Sequence, residues 1–251
     1  MRKFLSIIII LSFLSFSKEE NPTSTEDTII SSDFSQLWIS FDPIELNNKR
    51  IGSHSTPLGY IGNDFQRFYI HFTSVIKNDL QPSKYYTYGK TKVKNNICTF
   101  QGNISIHSIT WIETIEELAN LNIKQGLVSG TYSFFEDPQE KGTGHFSGTF
   151  RSMFYLDEKG ILHYDDLMID ADGYSNNQFI GTWTSYKTNT TKTCNWGDYR
   201  IPESKNLDIG AGEFIPDSQY YPFGWKNYEY IFENTPKGEK AREEEHAQWW
   251  K

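Results

Sequence analysis

The sequence predicts an all-β protein, an antiparallel meander of about eight strands closing, or nearly closing, into a barrel, with a β-sandwich as the alternative. Three observations predict it. Apolar and polar residues alternate with period two: Phe68, Ile70 and Phe72 are interleaved with Tyr69 and His71, the signature of a half-buried strand. A five-residue motif, apolar-x-Gly-[Asn/Thr]-apolar, recurs as FQGNI at 100, VSGTY at 128, FSGTF at 146 and FIGTW at 179. Turn-rich connections, EDPQEKGTG (136–144), DEKG (157–160) and ADGYSNN (171–177), separate the apolar runs, and short connections make antiparallel neighbours.

Each strand follows from this pattern. Tyr85–Val93 is one. Cys98, Phe100, Gly102, Ile104 and Ile106 share one face of the next, opposite Thr99, Gln101, Asn103, Ser105 and His107. Val128, Gly130, Tyr132 and Phe134 repeat the arrangement, as do Phe146, Gly148, Phe150 and Phe154, then Phe179, Gly181 and Trp183. Ile161–Asp170 reads as a further strand. Glycine weakens a strand, so Gly102, Gly130, Gly148 and Gly181, all on the apolar face, mark places where a coiled wall leaves no room for a side chain.

Outside residues 63–202, expected to form the barrel, four segments are distinguished. Met1-Arg2-Lys3 followed by FLSIIIILSFLSF has the layout of a secretory signal over 1–17. Its removal takes the formal charge from −8 to −10. Residues 18–32 are a polar linker without periodicity, and 33–62 a loosely packed N-terminal segment anchored by Phe34, Leu37, Trp38, Ile39 and Phe41. Residues 203–251 form a Gly-, Pro- and aromatic-rich extension ending in a short helix, whose Trp249–Trp250 pair is placed to dock on the body. A short helix is also expected near Thr114–Leu121.

Function classes narrow by elimination. The apolar N-terminal run is short for a membrane span, so the mature chain is not expected to span a membrane. Ser17 occupies the place of a lipobox cysteine, so periplasmic or extracellular export without a lipid anchor is expected. The acidic charge and the lack of a basic stripe exclude a nucleic-acid binder. HExxH, GxSxG, P-loop and Rossmann motifs are absent; no cofactor, metal or catalytic residue is assigned. His145 and His163 read as surface histidines, and Asp170, Asp172, Gly173 and Asn176 as a turn rather than a calcium loop. Asp165 and Asp166, as strand neighbours, point to opposite faces. Cys98 and Cys194 are the only cysteines, and an oxidising compartment permits either a disulfide between them or two buried thiols.

Gly181-Thr182-Trp183 and Gly197-Asp198-Tyr199-Arg200 resemble the G-x-W and T-D-Y signatures of lipocalins. In that family the first signature opens the first strand and the second lies most of a barrel later. Here they are 14 residues apart, near the end of the β region. The signal, polar linker and aromatic β domain are similar to uncharacterised exported proteins of Bacteroidota-type bacteria, which implies an envelope address.

Tyr132, Phe134, Phe150, Phe154 and Trp183 are the expected ligand-facing residues inside the barrel, with Trp225 among the aromatics closing one mouth. Asp198 and Arg200 are expected to pair and fix the corner that ends the barrel. The expected function is non-enzymatic binding of a small apolar or glycan-like ligand, or of an envelope protein partner. The alternatives are a secreted hydrolase with a carboxylate pair and a structural module with a filled core.

Overall fold

A computed structural model describes residues 32–40, 44–46, 49–51 and 56–251. The signal sequence and nearly all of the linker lie outside them. The chain is mostly antiparallel β: β1 (Ile44–Leu46), β2 (Lys49–Ile51), β3 (Leu58–Ile61), β4 (Gln66–Lys77), β5 (Lys84–Val93), β6 (Asn96–Ile112), β7 (Lys124–Glu136), β8 (Gly144–Leu156), β9 (Leu162–Tyr164), β10 (Asn176–Ser185) and β11 (Thr191–Asp198). β1 and β2 pair only with each other. The other nine form one sheet in the order β10-β11-β3-β4-β5-β6-β7-β8-β9, and an additional β8–β10 pairing closes eight of them into a ring. β9 is the ninth strand, attached to the end of β8.

Two boundaries differ from expectation. Leu58–Ile61, placed in the N-terminal segment, is a ring strand bridging β4 and β11. Ile161–Asp170 is a strand only over Leu162–Tyr164. After Tyr164 the Asp165 carboxylate accepts from the Leu167 amide, turning the chain back on itself.

The repeat glycines sit where strands approach each other closely. Gly102 is paired with Phe134, Gly130 with Phe150, and Gly148 with both Tyr132 and Gly181. The facing ring occupies the space a glycine leaves. A Cβ at Gly130 would lie 1.9 Å from the Ser105 carbonyl oxygen, and one at Gly148 2.1 Å from that of Ile180. Because those obstacles are backbone, they cannot rotate away. Gly130→Ala is therefore expected to cost ~2–3 kcal/mol through forced strand separation, read as a lower urea midpoint; an unchanged midpoint would remove this explanation of the repeat.

Inward residues fill the ring. Phe179 stacks on Trp196 at 4.9 Å and on Phe150 at 5.5 Å, Tyr132 meets Trp196 at 5.0 Å, and Phe72 meets Phe134 at 5.5 Å. One end is plugged by a 3₁₀ turn, Ser35–Leu37, whose flanking Phe34 and Trp38 pack on Phe154, Tyr85 and Phe150. The plug is tied down by polar bonds: the Phe34 amide donates to Tyr85 Oη (3.0 Å), Trp38 Nε1 to Ser152 Oγ (2.9 Å) and Asn177 Nδ2 to the Leu37 carbonyl (2.6 Å).

The C-terminal extension covers the outside of the ring beside β3 and β4. Tyr60, Phe65, Ile201, Leu207, Phe214, Tyr220 and Trp225 make a second apolar cluster. Helix α1 (Pro236–Glu245) starts at a Thr235 cap, whose hydroxyl accepts from the Gly238 amide. After it Trp250 stacks on His71 at 4.1 Å, and its carbonyl accepts from Lys90 Nζ at 2.6 Å. Thr114–Leu121 holds a 3₁₀ turn over Glu116–Leu121.

Candidate functional site

The end of the ring opposite the plug is a cup of about 390 Å³. It forms where the β3–β4, β5–β6, β7–β8 and β10–β11 connections meet. Ile61, Val93, Phe146 and Trp183 supply apolar wall, and Gln66, Thr91, Asn96, Cys98 and Glu136 supply polar groups. Lys94, Lys141 and Lys192 stand at the rim with Asp64.

Glu136 is the last residue of β7 and lies in phase with Tyr132 and Phe134, so the pleat points its carboxylate inward. Three donors meet it: Thr91 Oγ1 reaches Oε1 at 2.5 Å, while Trp183 Nε1 and the Gly144 amide each reach Oε2 at 2.9 Å. Burial raises its pKa above the usual carboxylate range, against the pull of those three hydrogen bonds. The carboxylate thereby braces β5, β7, β8 and β10 across the mouth. Beside it, burial and the Glu136 and Glu140 charges push the Cys98 thiol up to about 12. A thiol so protonated is a poor nucleophile at neutral pH.

The plugged end holds a second buried acid. Asp198, inward at the end of β11, accepts at Oδ2 from Tyr164 Oη (3.0 Å) and Asn177 Nδ2 (2.7 Å). Burial raises its pKa from 3.8 to about 7, opposed by those two bonds. A cavity of about 40 Å³ adjoins it, lined in part by Trp38, His71, Asn177, Trp196 and Trp250. That volume suits a few waters, well below an organic ligand site.

The expected site residues separate accordingly. Trp183 lines the cup and holds Glu136. Tyr132, Phe134, Phe150 and Phe154 are buried core, because inward rings from seven of the eight strands occupy the ring's axis. Trp225 is outside the ring, buried against Arg67 and Phe65 rather than closing a mouth. Cys98 and Cys194 are free buried thiols, the second of the two arrangements the sequence permits, and the disulfide between them is not formed. They lie on β6 and β11, with β3, β4 and β5 between them in the ring. Asp198 and Arg200 do not pair: the Arg200 side chain turns to Asp208 at 2.7 Å and to the carbonyls of Gly210, Ala211 and Gly212. The corner is fixed by the extension instead.

Of the neighbouring acids, Asp165 is buried and accepts from Gln125 Nε2 at 2.8 Å, while Asp166 is exposed. His145 stacks beside Phe135 and Tyr186, whereas His163 stacks on Tyr155 and bonds Asp157. Among the described residues no group of three His, Cys, Asp or Glu side chains is placed to hold a metal, and no helix is long and apolar enough to cross a membrane. Sequence reasoning missed Glu136 and Thr91. The available signal was a carboxylate in phase with two inward rings. Compared with protein-family models, curated proteins and solved structures, the chain matches none of them.

Proposed function

We propose that the chain is an exported, non-enzymatic protein whose eight-stranded ring is a lipocalin-like barrel, and that it binds a small apolar or sugar-like molecule in the cup at its mouth. The cup of about 390 Å³ carries this reading, since its volume falls within the ~300–1,000 Å³ of small-molecule sites and its wall mixes apolar surface with a few polar groups. The packed axis argues for a ligand seated at the mouth rather than deep within. Export rests on the layout of the first 17 residues. The hydrolase alternative is disfavoured because both Glu136 oxygens are engaged by donors of the wall, whereas an acid–base pair must reach a substrate bond from two sides.

The test is native mass spectrometry of protein purified from the exported fraction of its own host. The expected result is a chain lacking the signal segment and carrying a small-molecule adduct. Asn96→Trp, an exposed rim position, should fill the cup and abolish the adduct. An adduct of equal occupancy in the variant, or none in the wild type, would overturn the reading.

A further inference from the structure

Part of the outer face of the ring is free of charge. Strand register aligns two rows of outward side chains across β5, β6, β7, β8, β10 and β11. One row runs Tyr86, Asn103, Ser133, Ser147, Thr182, Thr193, and the next runs Tyr88, Gln101, Phe135, His145, Thr184, Thr191. Neither row contains Lys, Arg, Asp or Glu, in a chain that is 22% charged. Tyr86, Tyr88 and Phe135 are 51%, 47% and 46% exposed; Lys84 Nζ lies over the Tyr86 ring at 5.9 Å, and Phe135 stacks on His145. With strands ~4.8 Å apart, each row extends ~24 Å. Beside the rows, a shallow groove of about 620 Å³ is lined by His107, Ser129, Thr131, Thr149, Arg151 and Gln178 among others.

We propose that this face binds a neutral, hydroxyl-rich polysaccharide, at a site separate from the mouth. A surface with no charge along two rows offers no attraction to nucleic acid, anionic lipid or acidic polymer, each of which needs clustered cations. A protein interface is centred on a contiguous apolar patch poor in polar groups; here one aromatic stack, Phe135–His145–Tyr186, is set among Ser, Thr, Asn and Gln side chains. A neutral sugar chain matches both features. Each sugar hydroxyl both donates and accepts, as do Ser, Thr, Asn and Gln side chains; the C–H faces of the sugar ring lie flat on aromatic faces. Ser, Thr and Asn side chains are shorter than Lys or Glu, so ordering them on binding costs less entropy. Part of the face is already ordered: Ser108 bonds Ser129 at 2.8 Å, Thr131 bonds His107 at 3.0 Å, and Thr184 bonds Thr191 at 3.0 Å.

The test is retention of the mature protein on insoluble neutral polysaccharides (cellulose, β-1,3-glucan, starch, mannan and xylan), with heparin-agarose as the charged control. Wild type should bind at least one neutral matrix and not heparin. Tyr88→Ala with Phe135→Ala should weaken that binding about tenfold or more, and Asn103→Lys should weaken it without removing a ring. Both variants are expected to keep the wild-type melting temperature, and Asn96→Trp at the mouth should bind like wild type. Absence of binding to every neutral matrix, stronger binding to heparin, or retention unaffected by the two face variants would overturn the proposal.

Discussion

Replacing Glu245 by Ala is expected to destabilise the protein by ~3–5 kcal/mol, or to release the C-terminal extension from the ring. The reason is Arg67. It projects outward from β4, yet it is only 2% exposed because the extension lies over it. Its guanidinium is sandwiched between Tyr69 at 4.5 Å and Trp225 at 4.3 Å, and its Nη2 donates to Glu245 Oε2 at 3.3 Å. Among the described residues Nε and Nη1 have no hydrogen-bond partner, and Glu245 is the only counter-charge the guanidinium bonds. Removing one member of such a pair strands the other charge in a low-dielectric site, whereas replacing both with apolar residues does not. Arg67→Met combined with Glu245→Leu should therefore be more stable than either single variant. Urea unfolding with limited proteolysis of residues 203–251 reads both outcomes. Single variants within about 0.5 kcal/mol of wild type would show that the pair does not hold the extension.

The second large effect is a pH dependence set by Asp198. Its folded pKa of about 7 lies above the ordinary 3.8. Between those values the folded chain holds a proton that the unfolded chain has released, so stability falls as pH rises from about 4 to about 7. The integrated loss is on the order of 4 kcal/mol. Glu136, shifted in the same direction by its own burial, adds to the trend. In Asp198→Asn the amide oxygen can still accept from Tyr164 and Asn177, and no charge forms. The variant should match or trail wild type near pH 4 and exceed it at pH 8, measured as the difference in unfolding free energy at each pH. A difference that does not change with pH would remove Asp198 from the account.

What was legible in the sequence is what local periodicity encodes. The in-phase series Val128, Gly130, Tyr132, Phe134 and its counterparts at 100, 146 and 179 give the strands, their faces and the glycine positions, because inward facing and close strand approach leave a mark on each strand separately. Tertiary cover was not legible. Arg67 alternates as a solvent-facing residue, and only the distant Trp225 and Glu245 make it buried. Leu58–Ile61 is too short to carry a period, yet it closes the ring. Cys98 and Cys194 sit on compatible-looking strands, but ring order places three strands between them. Tyr132, Phe134, Phe150 and Phe154, expected to face a ligand, are core for the same reason: period two identifies inward rings and does not say how many of them meet on the axis. Glu136 shows the converse, a polar residue whose phase marked it as inward and whose carboxylate is held by Thr91, Gly144 and Trp183 from three other strands.

The most direct test of the mouth as the proposed binding site is hydrogen exchange on protein purified from its own host, before and after unfolding and refolding to strip any co-purified molecule. The predicted result is loss of protection confined to the mouth connections, residues 62–65, 94–95, 137–143 and 186–190, and to the strand ends that carry Thr91, Glu136 and Trp183. A change centred instead on the plug at Phe34–Trp38 and Asn177, or spread along the outer face, would contradict it.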